Sequence, residues 1–268
     1  MYRRVVSQAI AGLLFNPGVA TAGSDRGTAL VIGNSAYRKQ PLRNPVNDAR
    51  AVGQVLRDLG FDVQAVEDGS LRDMVGALQR FSIRARNHRV RLVFYAGHGM
   101  QVRGRNYLIP VDADIATEDD VTRLSADVGD LLERLAELRD GVNIIILDAC
   151  RNNPFNVQPA LDADGRRIRT RAPIESGLAQ VDAPKGTLVA YSTAPGTVAI
   201  DSGTQPNSVY TRHLLRHLRT AGLPVELLFK RVRAGVALET QHLQVPWEAS
   251  SLTGDFCFAE NSDRRCGT

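Results

Sequence analysis

Val90-Arg-Leu-Val-Phe-Tyr-Ala-Gly-His-Gly99 decides how this chain reads. Residues 90–96 form an almost unbroken apolar run with no polar alternation, the pattern of a strand buried on both faces. The run leads straight into Gly97-His98-Gly99. Working outward, residues 142–147 are a second and still more apolar run, and it leads into Asp148-Ala149-Cys150. Residues 28–33, 61–66 and 187–192 read as further strands, and 107–110 as the return arm of a hairpin after Gly104. Helical periodicity fills the intervals. Asn44-Pro45 offers a cap and a proline at the first helical position, followed by Val46, Ala49, Val52, Leu56 and Leu59 on one face. Further helices are expected over 71–86, from about Ser125 (with Val128, Leu131, Leu132, Leu135 and Leu138), over 208–220 and over 225–238. Strands alternating with helices imply an α/β fold, a mostly parallel sheet covered on both faces. In such sheets ligands bind beyond the carboxyl ends of the strands. His98 and Cys150, each expected just past a strand end, therefore belong to one edge.

That pairing has a chemical meaning. A thiol nucleophile needs a neighbour that removes its proton, and imidazole titrates near neutrality. Gly97 and Gly99 let backbone approach a substrate closely, and the N–H groups of Gly99 and Cys150 are candidates for an oxyanion hole. Singly, a cysteine at a strand end is a small hydrophobe and a histidine between glycines shapes a turn. Their shared edge is what singles them out as catalytic His98 and Cys150.

The 268 residues suit one large α/β domain better than two. A net charge of +4 with scattered arginines and no basic stripe excludes a nucleic-acid-binding design. Arg3 and Arg4 precede an apolar stretch over 5–15 and then Ala20-Thr21-Ala22, a signal-peptide pattern over residues 1–22. Export to the periplasm or medium is the expectation, with a disordered leader and a cytoplasmic protein as the alternative. No stretch is long enough to span a membrane. Of the three cysteines, Cys257 and Cys266 lie close enough in sequence to close a small loop in an oxidising compartment; in the cytosol they would be two reduced thiols.

Tyr95-Ala-Gly-His-Gly99 and Asp148-Ala-Cys-Arg-Asn152 resemble the His-Gly and Asp-x-Cys signatures of caspase-like cysteine peptidases, specifically the bacterial metacaspase-like (orthocaspase) branch. Residues 29–37, 42–48, 191–196 and 246–251 carry the likeness further, from about Gly27 to Phe258. The resemblance implies a caspase-hemoglobinase-like αβα sandwich in residues 23–268, with a large-subunit-like part (27–155), a linker loop (156–186) and a small-subunit-like part (187–258). It also implies a specificity pocket holding Asp148 and Asp48, with Ala96, Tyr191 and Ser192 at the substrate. Two carboxylates favour an arginine or lysine before the scissile bond. Read without the family, Asp48 is a helix-dipole acid. Ala96 stands where many metacaspases have serine, which leaves the choice between Arg and Lys open.

Arg166, Arg167, Arg169 and Arg171 crowd one loop, which is either a solvated charge run or a site of self-cleavage. His213 and His217 have a metal-compatible spacing but lack the accompanying glutamate, so no metal is assigned. The acidic stretch Asp112, Asp114, Glu118, Asp119, Asp120 matches no calcium loop and reads as a solvated turn, although calcium activates many metacaspases. The expectation is a cysteine endopeptidase that cleaves proteins or peptides after Arg or Lys. The alternatives are a non-catalytic caspase-like scaffold or a different hydrolase using the same dyad.

Overall fold

The computed structural model describes residues 26–138, 140–150, 178–194, 205–260 and 266, with Cys150 described by its backbone. The leader over 1–22 and the arginines at 166, 167, 169 and 171 lie outside the described residues. Six strands form the main sheet: β1 (Gly27–Gly33), β2 (Phe61–Glu67), β3 (Val90–Val102), β6 (Val142–Cys150), β7 (Thr187–Tyr191) and β8 (Trp247–Ser250). Their order is β2-β1-β3-β6-β7-β8, parallel throughout except for β8, which runs antiparallel to β7.

Successive residues of each central strand enter different cores, as strand geometry requires. Val31, Phe94, Ile146 and Ala190 pack under α1 (Pro45–Asp58), α5 (Val209–Leu218) and α6 (Val225–Glu239). Ile32, Tyr95, Leu147 and Tyr191 pack under α2 (Leu71–Ala85) and α4 (Val128–Ala136). The result is an αβα sandwich, and burial on both faces is why the strands read as continuous apolar runs.

Four elements differ from the sequence reading. The acidic stretch is only partly a turn: Asp112 lies in one, but Thr117 and Asp120 make a capping box that starts α3 (Glu118–Leu124). The next helix starts after Asp127, whose carboxylate caps Gly129, and Ser125 instead ends α3. Asn44 makes no side-chain cap on α1; the Ser35 hydroxyl takes the Val46 N–H in its place. β3 also continues past Ala96 into an antiparallel ribbon with β4 (Arg105–Leu108), which pairs with β5 (Ala126–Asp127). A satellite core of Tyr37, Met100, Val102, Tyr107, Ile109, Ile115 and Val121 lies at this ribbon.

Candidate active site

β3 and β6 stay in register from Val90 opposite Val142 to His98 opposite Cys150. Adjacent strands lie about 4.8 Å apart, so this last rung brings the two backbones to neighbouring positions at the carboxyl edge. His98 is inside β3 rather than beyond its end. The glycines do not stop the strand because it exchanges one partner for another: Gly99 pairs with Leu108 just after the rung with β6.

His98 is 4% exposed, and its Nε2 lies 2.8 Å from the carbonyl oxygen of Gln40. A carbonyl only accepts, so Nε2 carries the proton. The neutral ring then keeps its lone pair on Nδ1, the atom that can act as base. Burial pushes the imidazolium pKa below its ordinary value, with the Gln40 carbonyl opposing that shift. The imidazole is therefore neutral at neutral pH. The Tyr37 ring packs against the imidazole at 4.4 Å between centroids. Gln40 and Tyr37 were not singled out from sequence; a backbone carbonyl has no sequence signature.

Gly99 owes its identity to space. A Cβ there would sit 3.0 Å from Leu178 and 3.1 Å from Ala149. The Ile109 N–H donates to the His98 carbonyl, which makes Gly99 and Leu108 a non-hydrogen-bonded pair. The Gly99 N–H consequently points away from β4. Leu178 is held there by Asn106, whose side chain both donates to the Ala179 carbonyl (2.8 Å) and accepts from the Ala179 N–H (2.6 Å).

Three of the residues expected at the substrate lie in a row. Ala96 is opposite Asp148, and the Ser192 N–H donates to the Leu147 carbonyl, which continues the β6–β7 register by one rung to Ser192 beside Asp148. By strand alternation Ala96, Asp148 and Ser192 share the face covered by α1 and α5. Tyr191 belongs to the opposite core, so its side chain does not join this row. Above the row Asp48, 1% exposed, accepts from the Asn207 amide (2.8 Å) and the Ser208 N–H (3.1 Å). Asp148, 8% exposed, accepts from the hydroxyls of Ser208 (2.5 Å) and Thr211 (2.9 Å). Asp48 does stand in the first turn of α1, as a dipole acid would, but it is buried and hydrogen-bonded to the start of another helix. Both carboxylates are anchored at the first turn of α5, where Ser208 is also the N-cap. The helix start near Ser208 was readable in the sequence, but its contact with two distant aspartates was not.

The remaining clusters have structural partners. His213 bonds Glu239 at 2.8 Å, and Arg212 pairs with the same carboxylate. Asp112 accepts from the Leu71 N–H, and Asp114 pairs with Lys39. Among the described residues no group of three or more His, Cys, Asp or Glu side chains could hold a metal ion, and no helix is long and apolar enough to cross a membrane. Cys257 and Cys266 are joined as a disulfide.

His98 and Cys150 thus share the last rung at the carboxyl edge of a mostly parallel α/β sheet. Residues 26–257 match the caspase domain of peptidase family C14, and the chain belongs to that family as a cysteine peptidase domain. It is 33% identical over 138 residues to human mucosa-associated lymphoid tissue lymphoma translocation protein 1, covering 50% of this chain and 16% of that protein. It is 25% identical over 158 residues to cat caspase-1, covering 57% of this chain and 37% of that protein. The chain thus spans well under two thirds of these relatives. The crystal structure of caspase-1 from Spodoptera frugiperda superposes with a TM-score of 0.63 at 19% identity, over 90% of this chain and 94% of the other, which shows the shared fold.

Proposed function

We propose that this domain is an active endopeptidase that cleaves after arginine or lysine, with Cys150 as nucleophile and His98 as general base. The Cys150 sulfur attacks the scissile carbonyl while His98 Nδ1 takes the thiol proton. The N–H groups of Gly99 and Cys150 receive the developing oxyanion, and His98 returns the proton to the leaving amine. The observation that carries the specificity is the pairing of two buried carboxylates, Asp148 in the row beside His98 and Cys150 and Asp48 above it. Buried anions favour a cationic partner, and arginine can bond such groups bidentately.

The arginines at 166, 167, 169 and 171 then supply sites for self-cleavage in the linker between the large-subunit-like and small-subunit-like parts. The Cys257–Cys266 disulfide supports the exported reading, since such bonds persist in oxidising compartments. No step is assigned to calcium: the acidic side chains Asp112, Asp114 and Asp120 already serve the fold. Fluorogenic peptides ending in Arg, Lys or Asp, offered to the wild type and to Cys150→Ala with and without calcium, test the proposal. Turnover of the Arg or Lys peptides by the wild type alone supports it. Preference for Asp would refute the pocket, and turnover of none would favour a non-catalytic scaffold.

A further inference from the structure

The backbone of His98 is held by two tyrosine hydroxyls. Tyr37 accepts the His98 N–H at 2.9 Å, and Tyr95 donates to the His98 carbonyl at 2.6 Å. The hydroxyls lie 3.2 Å from each other, and each is 3.1 Å from the Ile109 carbonyl. Both rings are buried. Gly97 makes room for the pair: a Cβ there would fall 2.6 Å from each hydroxyl.

Tyr37 also belongs to the loop that supplies the Gln40 carbonyl to His98 Nε2. That loop is anchored at its start, where Asp68 accepts the N–H groups of Ser35 and Ala36 at 2.7 and 2.8 Å, and the Leu42 N–H closes it on the Ser35 carbonyl. One loop therefore grips His98 twice, by its backbone through Tyr37 and by its ring through Gln40. Tyr95 fixes the same backbone from inside β3. Without a hydroxyl, the loop and the strand lose their common reference, and the ring nitrogen that serves as base shifts relative to Cys150.

We infer that Tyr37 and Tyr95 are positioning residues for the general base, their hydroxyls setting the imidazole of His98 for proton transfer from Cys150. This rests on the peptidase reading, and its test includes an arm that needs no substrate. Phenylalanine keeps each ring and removes only the hydroxyl. Three quantities are measured in the full chain for Tyr37→Phe and Tyr95→Phe: kcat and KM on an arginyl peptide, the pH dependence of Cys150 alkylation by iodoacetamide, and Tm. With Cys257 and Cys266 in a disulfide, Cys150 is the remaining thiol.

The expected result is a fall in kcat of roughly 10- to 100-fold with KM changed less than about 3-fold, because a small misplacement of a base acts on the chemical step. The alkylation profile shifts in parallel. Folded variants with unaltered kcat and alkylation profile, and only a lower Tm, would overturn the inference. If Tyr37→Phe does not fold, Tyr95→Phe decides, since it leaves the bond to the His98 N–H in place. If the wild type cleaves no peptide, the peptidase reading fails, while the alkylation profiles still decide whether the hydroxyls position His98.

Discussion

His98 and Cys150 are partners on the last rung of the ladder between β3 and β6. Their proximity is a property of strand register, fixed by apolar runs that bury both faces of the sheet. A one-residue slip would put one of the two on the wrong face, so the core that holds the register also holds the dyad.

The pH response of the base follows from its burial. His98 favours the neutral form when folded, so the acid limb of kcat/KM is expected below the ordinary histidine value of about 6.5. The unfolded chain binds that proton more readily than the folded one. Stability is therefore expected to decline as pH falls below about 6.5 and to level off below the folded-state value. Urea unfolding across that range, with His98→Gln as the flatter control, measures it.

Gly97→Ala tests the cradle from the other side. Its Cβ would meet both tyrosine hydroxyls, so it is expected to cost about 1–3 kcal/mol and to abolish turnover. Thermal unfolding and the arginyl-peptide assay report the two effects separately.

Ser208 joins the two acids to α5. Ser208→Ala removes the helix cap and one hydrogen bond to Asp148, an expected loss of about 1–2 kcal/mol. It should also raise KM for arginyl peptides while the iodoacetamide reactivity of Cys150 stays unchanged. Ser208→Thr, which retains a capping hydroxyl, is expected to recover most of the stability.

The disulfide is expected to be structural. Cys257 is 1% exposed, and its segment bridges to Pro224 while its carbonyl accepts from Arg26. Mild reduction should lower stability by about 2–3 kcal/mol, in keeping with a short closed loop. Calorimetry with Cys150 blocked measures this without interference from the nucleophile.

Much of this arrangement was legible in the sequence. The apolar runs over 90–96 and 142–147 mark the central strands, and the residues after them, His98, Asp148 and Cys150, are the ones the β3–β6 ladder brings to one edge. What stayed hidden depends on tertiary contact. Glycines after Ala96 suggest a strand end, yet β4 supplies the hydrogen bonds that let β3 continue. The Gln40 carbonyl is backbone, so no side-chain pattern marks it. β8 is a four-residue edge strand, too short for an apolar pattern to mark it in the sequence. Asp48 is the first-turn acid of α1 that the sequence suggested, but its partners Asn207 and Ser208 stand at the start of a distant helix, which no local pattern marks. Tyr191 and Ser192, adjacent in sequence, lie on opposite faces, which strand alternation could have separated in advance.

The most direct test of the central claim is intact-mass analysis after incubation with a peptidyl acyloxymethyl ketone ending in arginine. One inhibitor group is expected on Cys150, with its loss in Cys150→Ala, strong slowing in His98→Ala, and no labelling by the aspartyl counterpart. Labelling by the aspartyl reagent alone, or at another residue, would contradict it.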